Sequence, residues 1–247
     1  MIRVPNYSAV TLGSTFNVPA WDGNEGGICI IKCSGTMTLT AQINATGKGF
    51  RGGVSTSVGY ANPSARGEGQ TAESSVGSAA NAAGGGGGRM NQPSALSAKT
   101  GAGGGHATAG TNGNSNAVGG TAWGGQDLTS HLGFGGGGGA GGYDYSSQGG
   151  NGGIGGGIIM IMAETLTLSG SGELAASGTS GTGNAQNNQG GGAGGSIYVK
   201  SDTFTSNDNC NAAGGGGGSA SGGAGSVGRI HIQGTSTGTT SPTAYTG

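Results

Sequence analysis

The sequence predicts an all-β or irregular fold, in which β-solenoid-like or sandwich strands combine with a polyglycine-II helix bundle and α-helix is essentially absent. Three observations lead to this prediction. Glycine supplies 65 of the 247 residues, a strand pattern recurs along the chain, and side chains beside the glycine runs often fall three residues apart. We expect one compact domain with an N-terminal β segment (residues 1–53), a glycine-rich bundle with variable loops (54–155) and further β repeats (156–247).

The composition excludes several classes of protein. A hydrophobic fraction of 32% is low for a conventional core, yet charged residues at 8% and five prolines are too few for a typical disordered polymer. A net charge of −1 provides no basic surface for nucleic acid, and no apolar run is long enough for membrane insertion. Collagen is excluded because it needs glycine at every third position together with abundant proline. A flexible Gly-Ser linker remains the disordered alternative.

Four segments share one strand pattern. A glycine pair or single glycine precedes an apolar strand, which begins at Ile28, Ile158, Ser196 or Arg229. In the first three copies a short turn, a strand with alternating threonine, a second turn and a third short strand follow. Period-two alternation is typical of β-strands, and such units can stack as rungs of a solenoid. An antiparallel sandwich of the same strands is the alternative.

Three runs of five glycines are predicted to be ordered. Three residues per turn is the period of the extended polyglycine-II-type helix, whose amides point sideways and can pair with neighbouring threads. Glycine alone allows such threads to approach on several sides, so we expect these runs to be structural and enclosed all round. The fifteen glycines are Gly84, Gly85, Gly86, Gly87 and Gly88; Gly135, Gly136, Gly137, Gly138 and Gly139; and Gly214, Gly215, Gly216, Gly217 and Gly218.

The cysteines do not form a metal or disulfide motif. Cys29 and Cys33 are about 13 Å apart if they share a strand, which is too far for a disulfide. Cys210 has no CxxC partner, and no histidine or carboxylate is spaced to complete a metal site with these residues. We therefore expect three small buried apolar residues and no metal or other cofactor.

Catalytic chemistry is not indicated either. The histidines His106, His131 and His231 stand in dissimilar contexts, and no Gly-x-Ser-x-Gly motif accompanies them. His231 alternates with two isoleucines and is predicted to face solvent. The carboxylates are scattered, and the many glycine-rich matches to phosphate loops are expected by chance at this composition. The sequence favours a protein that is not an enzyme and names no catalytic residue.

Aromatic residues among the glycine runs are the candidate receptor-binding residues. They comprise Tyr60, Trp123, His131, Tyr143 and Tyr145, the one histidine being grouped with them. On loops at the ends of a glycine bundle such side chains would form patches that bind sugars or protein loops. They would equally serve as local caps that plug the bundle ends. Composition does not separate these two hypotheses.

Stretches at both ends of the chain resemble a class of glycine-rich phage and bacterial proteins. They are residues 10–23, 26–28 and 45–53 near the start and residues 225–232 and 238–242 near the end. The alternation of glycine runs with variable segments is similar in architecture to the distal adhesins of T-even-type phages. That resemblance implies a polyglycine-II sandwich whose variable loops contact outer-membrane receptors. No segment matches the fibre-docking domain of those adhesins.

The resemblance implies a structural, receptor-binding component of a viral tail fibre or similar surface appendage. The expected partners are a host cell-surface glycan or outer-membrane protein, other fibre or virion proteins and further copies of the chain. Residues 1–7 lack the apolar stretch of a secretory signal, so we expect cytoplasmic synthesis and a place in the virion or at an extracellular surface. A self-assembling filament subunit is the main alternative, and an ice-binding protein and a glycan-cleaving tailspike are further ones.

Overall fold

The described part of the chain is built from strands and extended glycine-rich threads. The structure is a computed structural model, and it describes residues 4–55, 64–70, 75–87, 100–114, 117–142, 149–182, 189–206, 209–218 and 221–246. No α-helix occurs within these ranges, which confirms the prediction of an all-β chain without helices. In the same ranges no helix is available to cross a membrane.

The strands form two sheets. The wide sheet contains β1 (Asn6–Tyr7), β2 (Val10–Leu12), β4 (Ile28–Leu39), β6 (Ile158–Leu168), β8 (Ser196–Thr205), β10 (Arg229–Thr237) and β12 (Tyr245–Thr246). The narrow sheet contains β3 (Phe16–Asn17), β5 (Gln42–Asn44), β7 (Glu173–Ala175), β9 (Cys210–Asn211) and β11 (Thr240–Ser241). Along the chain, each of the long strands β4, β6, β8 and β10 is followed by a short strand of the narrow sheet. These short strands are β5, β7, β9 and β11, respectively.

All ladders between these strands are parallel, so the antiparallel alternative does not describe them. The four repeats lie side by side in the predicted register, with Ile28 opposite Ile158, Ile158 opposite Ser196 and Ser196 opposite Arg229. This pairing brings β4 and β6 together although more than a hundred residues separate them in sequence. The intervening chain belongs largely to the glycine threads.

The predicted turn inside each of the first three repeats is wrong. The apolar strand and the threonine-rich strand form one continuous strand, which in β4 has twelve residues. Only a register shift between Cys33 and Thr36 marks the junction, where β4 pairs with β6. Such a bulge bends a strand and leaves its ladder intact on both sides, which explains why a local sequence pattern resembled a turn.

A thin apolar core lies between the wide and the narrow sheet. Equivalent positions of successive repeats stack in columns, and one column runs from Cys29 through Ile159 and Ile197 to Ile230. Ile159 and Ile197 are fully buried, and burying one such side chain is worth roughly 1.5–3 kcal/mol. The β repeats therefore have a conventional core despite the low hydrophobic fraction of the chain.

The glycine threads pair through their main-chain amides. In residues 135–141 every third amide donates to the same neighbouring thread, over N–O distances of 2.8 to 3.2 Å. Residues 135, 138 and 141 donate to residues 150–156, residues 136 and 139 to residues 102–105, and residues 137 and 140 to residues 65–68. Carbonyls of the same thread accept from residues 53 and 85 and from residues 190–193. This thread therefore has six hydrogen-bonded neighbours.

Space explains why the first two runs are glycine. A methyl group on any residue from Gly84 to Gly87 or from Gly135 to Gly139 would overlap a main-chain carbonyl oxygen of another thread. These residues are buried, and none of them has a positive φ. The close approach of the threads, and not an unusual backbone conformation, is what requires glycine. Gly88 lies outside the described residues.

The third run is more open than predicted. Gly215 is buried, but Gly216 is exposed, and a methyl group on Gly216 would lie 3.5 Å from the nearest heavy atom, the Ser180 hydroxyl oxygen. Five consecutive glycines therefore do not always indicate a thread that is enclosed on every side. This run follows β9 and lies at the outside of the described bundle.

Candidate functional site

Residues 121–133 form a surface segment that crosses the outer face of the wide sheet; we call it the crossing segment. The Gly133 amide donates to the Ser196 hydroxyl at 3.0 Å, and that hydroxyl donates to the Gly133 carbonyl at 2.8 Å. At its other end, the Trp123 amide donates to the His106 carbonyl at 3.0 Å. Strand β8 and the thread containing His106 thus hold the segment at both ends.

The crossing segment also explains why the prediction for His231 is wrong. His231 is only 3% exposed, because its ring lies between Tyr198 and Tyr245 and its Nδ1 contacts the Asp127 carbonyl. The two tyrosine rings meet it edge-on, with centroids 5.2 and 5.0 Å away. Both faces of strand β10 are covered here, so alternation with isoleucine does not indicate exposure.

Trp123 of the crossing segment packs against His106, which lies on the neighbouring thread. Their ring centroids are 5.5 Å apart, and the His106 Nδ1 donates to the Gly194 carbonyl at 2.7 Å. Burial lowers the pKa of the His106 imidazole to about 4, so the ring is neutral near pH 7. The indole Nε1 of Trp123 is buried and has no hydrogen-bond partner among the described residues. Trp123 is half-buried overall.

Two shallow clefts are lined in part by His131 of the crossing segment. The larger, of about 640 Å³, is lined by Gln70, Trp123, Gly124, Gly125 and His131. The smaller, of about 250 Å³, is lined by Leu128, Thr129, Ser130, His131, Leu132, Met160 and Tyr198. His131 is exposed and contributes to both. The structure therefore brings together two predicted site residues, Trp123 and His131.

The remaining predicted aromatic residues are placed differently or lie outside the described ranges. Tyr60, Tyr143 and Tyr145 belong to the latter group. Phe134, which also lies beside a glycine run, is 8% exposed and packs edge-on against Phe50 with centroids 5.2 Å apart. It therefore belongs to the packing of the bundle and not to its surface.

Comparisons with protein families, with curated proteins and with solved structures find no match to this chain.

Arg229 is a residue that sequence reasoning missed. It is the first residue of β10 and is 8% exposed, and its Nη2 donates to the Trp123 carbonyl at 3.0 Å. The sequence contains no signal for this position, because the residues that cover it precede it by about a hundred positions.

Asp127, in the crossing segment, has a pKa below its usual value because the Thr129 hydroxyl donates a hydrogen bond to its carboxylate.

The cysteines behave as predicted for small apolar residues. Cys29, Cys33 and Cys210 are buried free thiols, and Cys29 and Cys33 share β4. Burial raises the pKa of Cys29 to about 11 and that of Cys210 to about 12. Within the described ranges no three histidine, cysteine, aspartate or glutamate residues are grouped as metal ligands.

The surface around the crossing segment combines an aromatic ring, an imidazole, an amide and several hydroxyls. Rings provide flat apolar faces, and amides and hydroxyls donate and accept hydrogen bonds. This set of groups can bind a sugar or a polar protein loop by stacking and hydrogen bonding.

Proposed function

We propose that this chain is a structural, receptor-binding component of a phage tail fibre or a similar surface appendage, and that it acts without a catalytic step. Its receptor would be a host cell-surface glycan or an outer-membrane protein, contacted through the crossing segment. The single observation that carries the proposal is the thread at residues 135–141, which directly follows this segment and is hydrogen-bonded to six neighbours.

The proposed architecture is a short β-solenoid joined to a polyglycine-II bundle. Parallel ladders in matching register support the solenoid. Amides that turn to the same neighbour at every third residue support the polyglycine-II helix, which has three residues per turn. Ordering glycine costs roughly 1–2 kcal/mol of conformational entropy per residue, so such a bundle must be cooperative and therefore stiff.

A stiff platform favours binding because little entropy is lost when its surface segment meets a receptor. Several copies on one particle would multiply a weak single-site affinity. Other fibre or virion proteins are the proposed attachment partners, and the virion or an extracellular surface is the proposed location.

Whole-cell binding by fluorescently labelled protein tests this function. His131→Ala removes an exposed ring that lines both clefts, and Trp123→Ala removes the ring that lines the larger cleft. We expect at least a threefold loss of bound protein for each variant. Thr11→Ala on β2 is the control, because Thr11 is exposed and lies in the N-terminal part of the wide sheet. Undiminished binding by both variants would contradict the proposed surface.

Amide hydrogen exchange tests the platform separately. The amides of residues 135–141 should be protected as strongly as those of the core strands β6 and β8. Exchange at the rate of an unstructured peptide would remove the physical basis of the proposal, whatever the result of the binding assay.

A self-assembling filament subunit is a second candidate function, and the N-terminal end of the sheets favours it. Tyr7 and Phe16 are 48% and 44% exposed there. Beside them lies an apolar cavity of about 620 Å³, lined by residues that include Leu12, Ile28 and Met37. Uncovered strand edges recruit further strands. Size-exclusion chromatography with electron microscopy separates the two: discrete particles support the receptor-binding component, and an open polymer supports the filament.

A further inference from the structure

Arg229 is a buried residue without an acidic partner in the described part of the chain. It is 8% exposed, and no carboxylate of the described residues lies within ion-pair distance of it. Taking a charge out of water costs several kcal/mol unless a counter-charge and hydrogen bonds compensate. Buried arginines are therefore normally paired, and this one has no carboxylate partner among the described residues.

Main-chain carbonyls compensate the charge only in part. Arg229 Nη2 donates to the Trp123 carbonyl at 3.0 Å and lies at 3.4 and 3.5 Å from the carbonyls of Ala107 and His106. The buried Nε has no hydrogen-bond partner within the described ranges. Burial lowers the pKa of Arg229. The neighbouring His106 is neutral near pH 7, so it adds no second cation to repel an anion.

Arg229 also lines a cleft large enough for one sugar residue. The cleft has a volume of about 410 Å³, within the usual range of small-ligand sites. Its lining also includes Thr108, Gln126, Thr243 and Tyr245. Tyr245 is 44% exposed, and Thr108, Gln126 and Thr243 are exposed polar residues. An aromatic face with amide and hydroxyl groups suits a carbohydrate.

We propose that this cleft binds an acidic sugar residue, whose carboxylate would pair with Arg229. The inference rests on the proposed glycan-binding function and specifies its ligand class. The carboxylate would meet the guanidinium at Nη1, because Nε is buried and Nη2 faces three main-chain carbonyls. A sulfated sugar is the alternative anion that the experiment distinguishes. Tyr245 would contact the sugar ring, and Gln126 and Thr243 would bond its hydroxyls.

The first experiment uses the unmodified protein and changes the ligand. Binding of a glucuronate-containing oligosaccharide is measured by isothermal titration calorimetry, beside its methyl ester and a sulfated neutral counterpart. We expect the ester to bind at least tenfold more weakly, which corresponds to the loss of one charge-assisted pair. Equal binding of acid and ester, or no binding of the acid, would overturn the proposal. Binding of the sulfated sugar alone would overturn the carboxylate preference.

The second experiment changes the protein. Arg229→Gln should reduce affinity for the acid at least tenfold and leave affinity for the ester unchanged. Arg229→Lys should retain an intermediate affinity, because it keeps the charge and loses the planar guanidinium. Lys200→Gln is the matched control: Lys200 is an exposed cation on β8, and its removal changes net charge equally. If Arg229→Gln lowers the melting temperature while acid and ester still bind the native protein equally, Arg229 is only a structural tie.

The outcome is separable from that of the proposed function. Cell binding that depends on His131 but not on Arg229 would leave the receptor-binding component standing and refute the acidic ligand. If the protein does not bind cells but binds the purified acidic oligosaccharide selectively, the acidic-ligand proposal stands and the receptor-binding function is refuted.

Discussion

Gly137 lies so close to the main chain of Arg51 that a methyl group on it would overlap the Arg51 carbonyl oxygen and lie 2.6 Å from the carbonyl carbon. The two residues belong to neighbouring threads at the centre of the bundle. Because the Gly137 amide is also bonded to the Glu68 carbonyl at 3.1 Å, the thread cannot simply move away from Arg51. The close contact with Arg51 and the hydrogen bond to Glu68 thus both fix the position of Gly137.

Gly137→Ala should therefore be severely destabilising. We expect a loss of about 3 kcal/mol or more in the free energy of unfolding, or failure to fold, since overpacking against main chain has no cheap relaxation. Chemical denaturation followed by circular dichroism measures the effect. Gly216→Ala is the matched control, because Gly216 is exposed and has room for a methyl group. It should change stability by about 0.5 kcal/mol or less. Similar losses for the two variants would contradict close packing of the threads.

The register of the β repeats could be predicted from sequence because each copy carries its own signal. A preceding glycine, an apolar strand and alternating threonine align Ile28, Ile158 and Ser196 without any knowledge of the fold. The three-residue spacing of side chains near the glycine runs matches the hydrogen bonding of residues 135–141, in which every third amide donates to the same neighbouring thread.

The coverage of the outer face could not be predicted in this way. His231 and Arg229 have the alternation of an exposed strand face, but the crossing segment, about a hundred positions earlier, covers both, and Tyr198 and Tyr245 flank His231. Nothing local encodes where the crossing segment lies. The cleft at Arg229 was missed for the same reason. Trp123 and His131 were singled out because aromatic and imidazole side chains are conspicuous among glycines, and their role in binding stays a prediction.

Stability should fall as the pH drops from about 6.5 to about 4. Burial lowers the His106 pKa from 6.5 to about 4 in the folded state. Between these pH values His106 is protonated in the unfolded chain but neutral in the folded chain. The free energy of unfolding therefore falls by up to about 1.4 kcal/mol for each pH unit of acidification. Above pH 6.5 both states are neutral at this residue and the effect vanishes.

Urea denaturation of the native protein and of His106→Gln, at pH 7.5 and 4.5, measures this contribution. The variant should lose less stability on acidification than the native protein. The carboxylates of Asp22 and Asp127, whose pKa values are lowered, also destabilise the fold on protonation, from about pH 5 downward. They contribute equally in the native protein and in His106→Gln, so the comparison of the two isolates His106. His131→Gln serves as the control because His131 is exposed. An identical pH dependence in native and His106→Gln protein would refute the assignment.

The three cysteines should resist thiol reagents until the protein unfolds. Cys29, Cys33 and Cys210 are buried, and the raised pKa values of Cys29 and Cys210 suppress the reactive thiolate. We expect no labelling by a maleimide at pH 7 in one hour and complete labelling in denaturant, both read by mass spectrometry. Ala109→Cys places an exposed thiol in the same background and should label within minutes. Rapid modification of native Cys210 would show that the core between the sheets opens readily.

The ion pair between Arg51 and Glu68 should contribute measurably to stability. Glu68 is buried with a side chain only 5% exposed, and it accepts hydrogen bonds from Arg51 Nη2 at 3.1 Å, Nε at 3.1 Å and the main-chain amide at 2.9 Å. Arg51→Gln leaves the amide bond but removes the charge that faces this carboxylate. Since the Arg51 side chain is 43% exposed and partly screened by water, we expect a loss of about 1–2 kcal/mol, below that of a fully buried pair.

A double-mutant cycle isolates the pair from other effects of the substitutions. Glu68→Gln alone leaves the half-exposed Arg51 side chain bonded to the Asp22 carbonyl and in contact with water. It should therefore cost less than Arg51→Gln, which leaves the buried carboxylate without its counter-charge. The combined variant removes the stranded charge, so it should be more stable than Arg51→Gln alone, with a coupling energy of roughly 0.5–2 kcal/mol. Denaturation at 0.05 and 0.5 M salt adds a second readout, because screening should shrink the coupling only modestly when one partner is buried. Additive losses would mean that the glycine threads hold residues 51 and 68 in place without help from their charges.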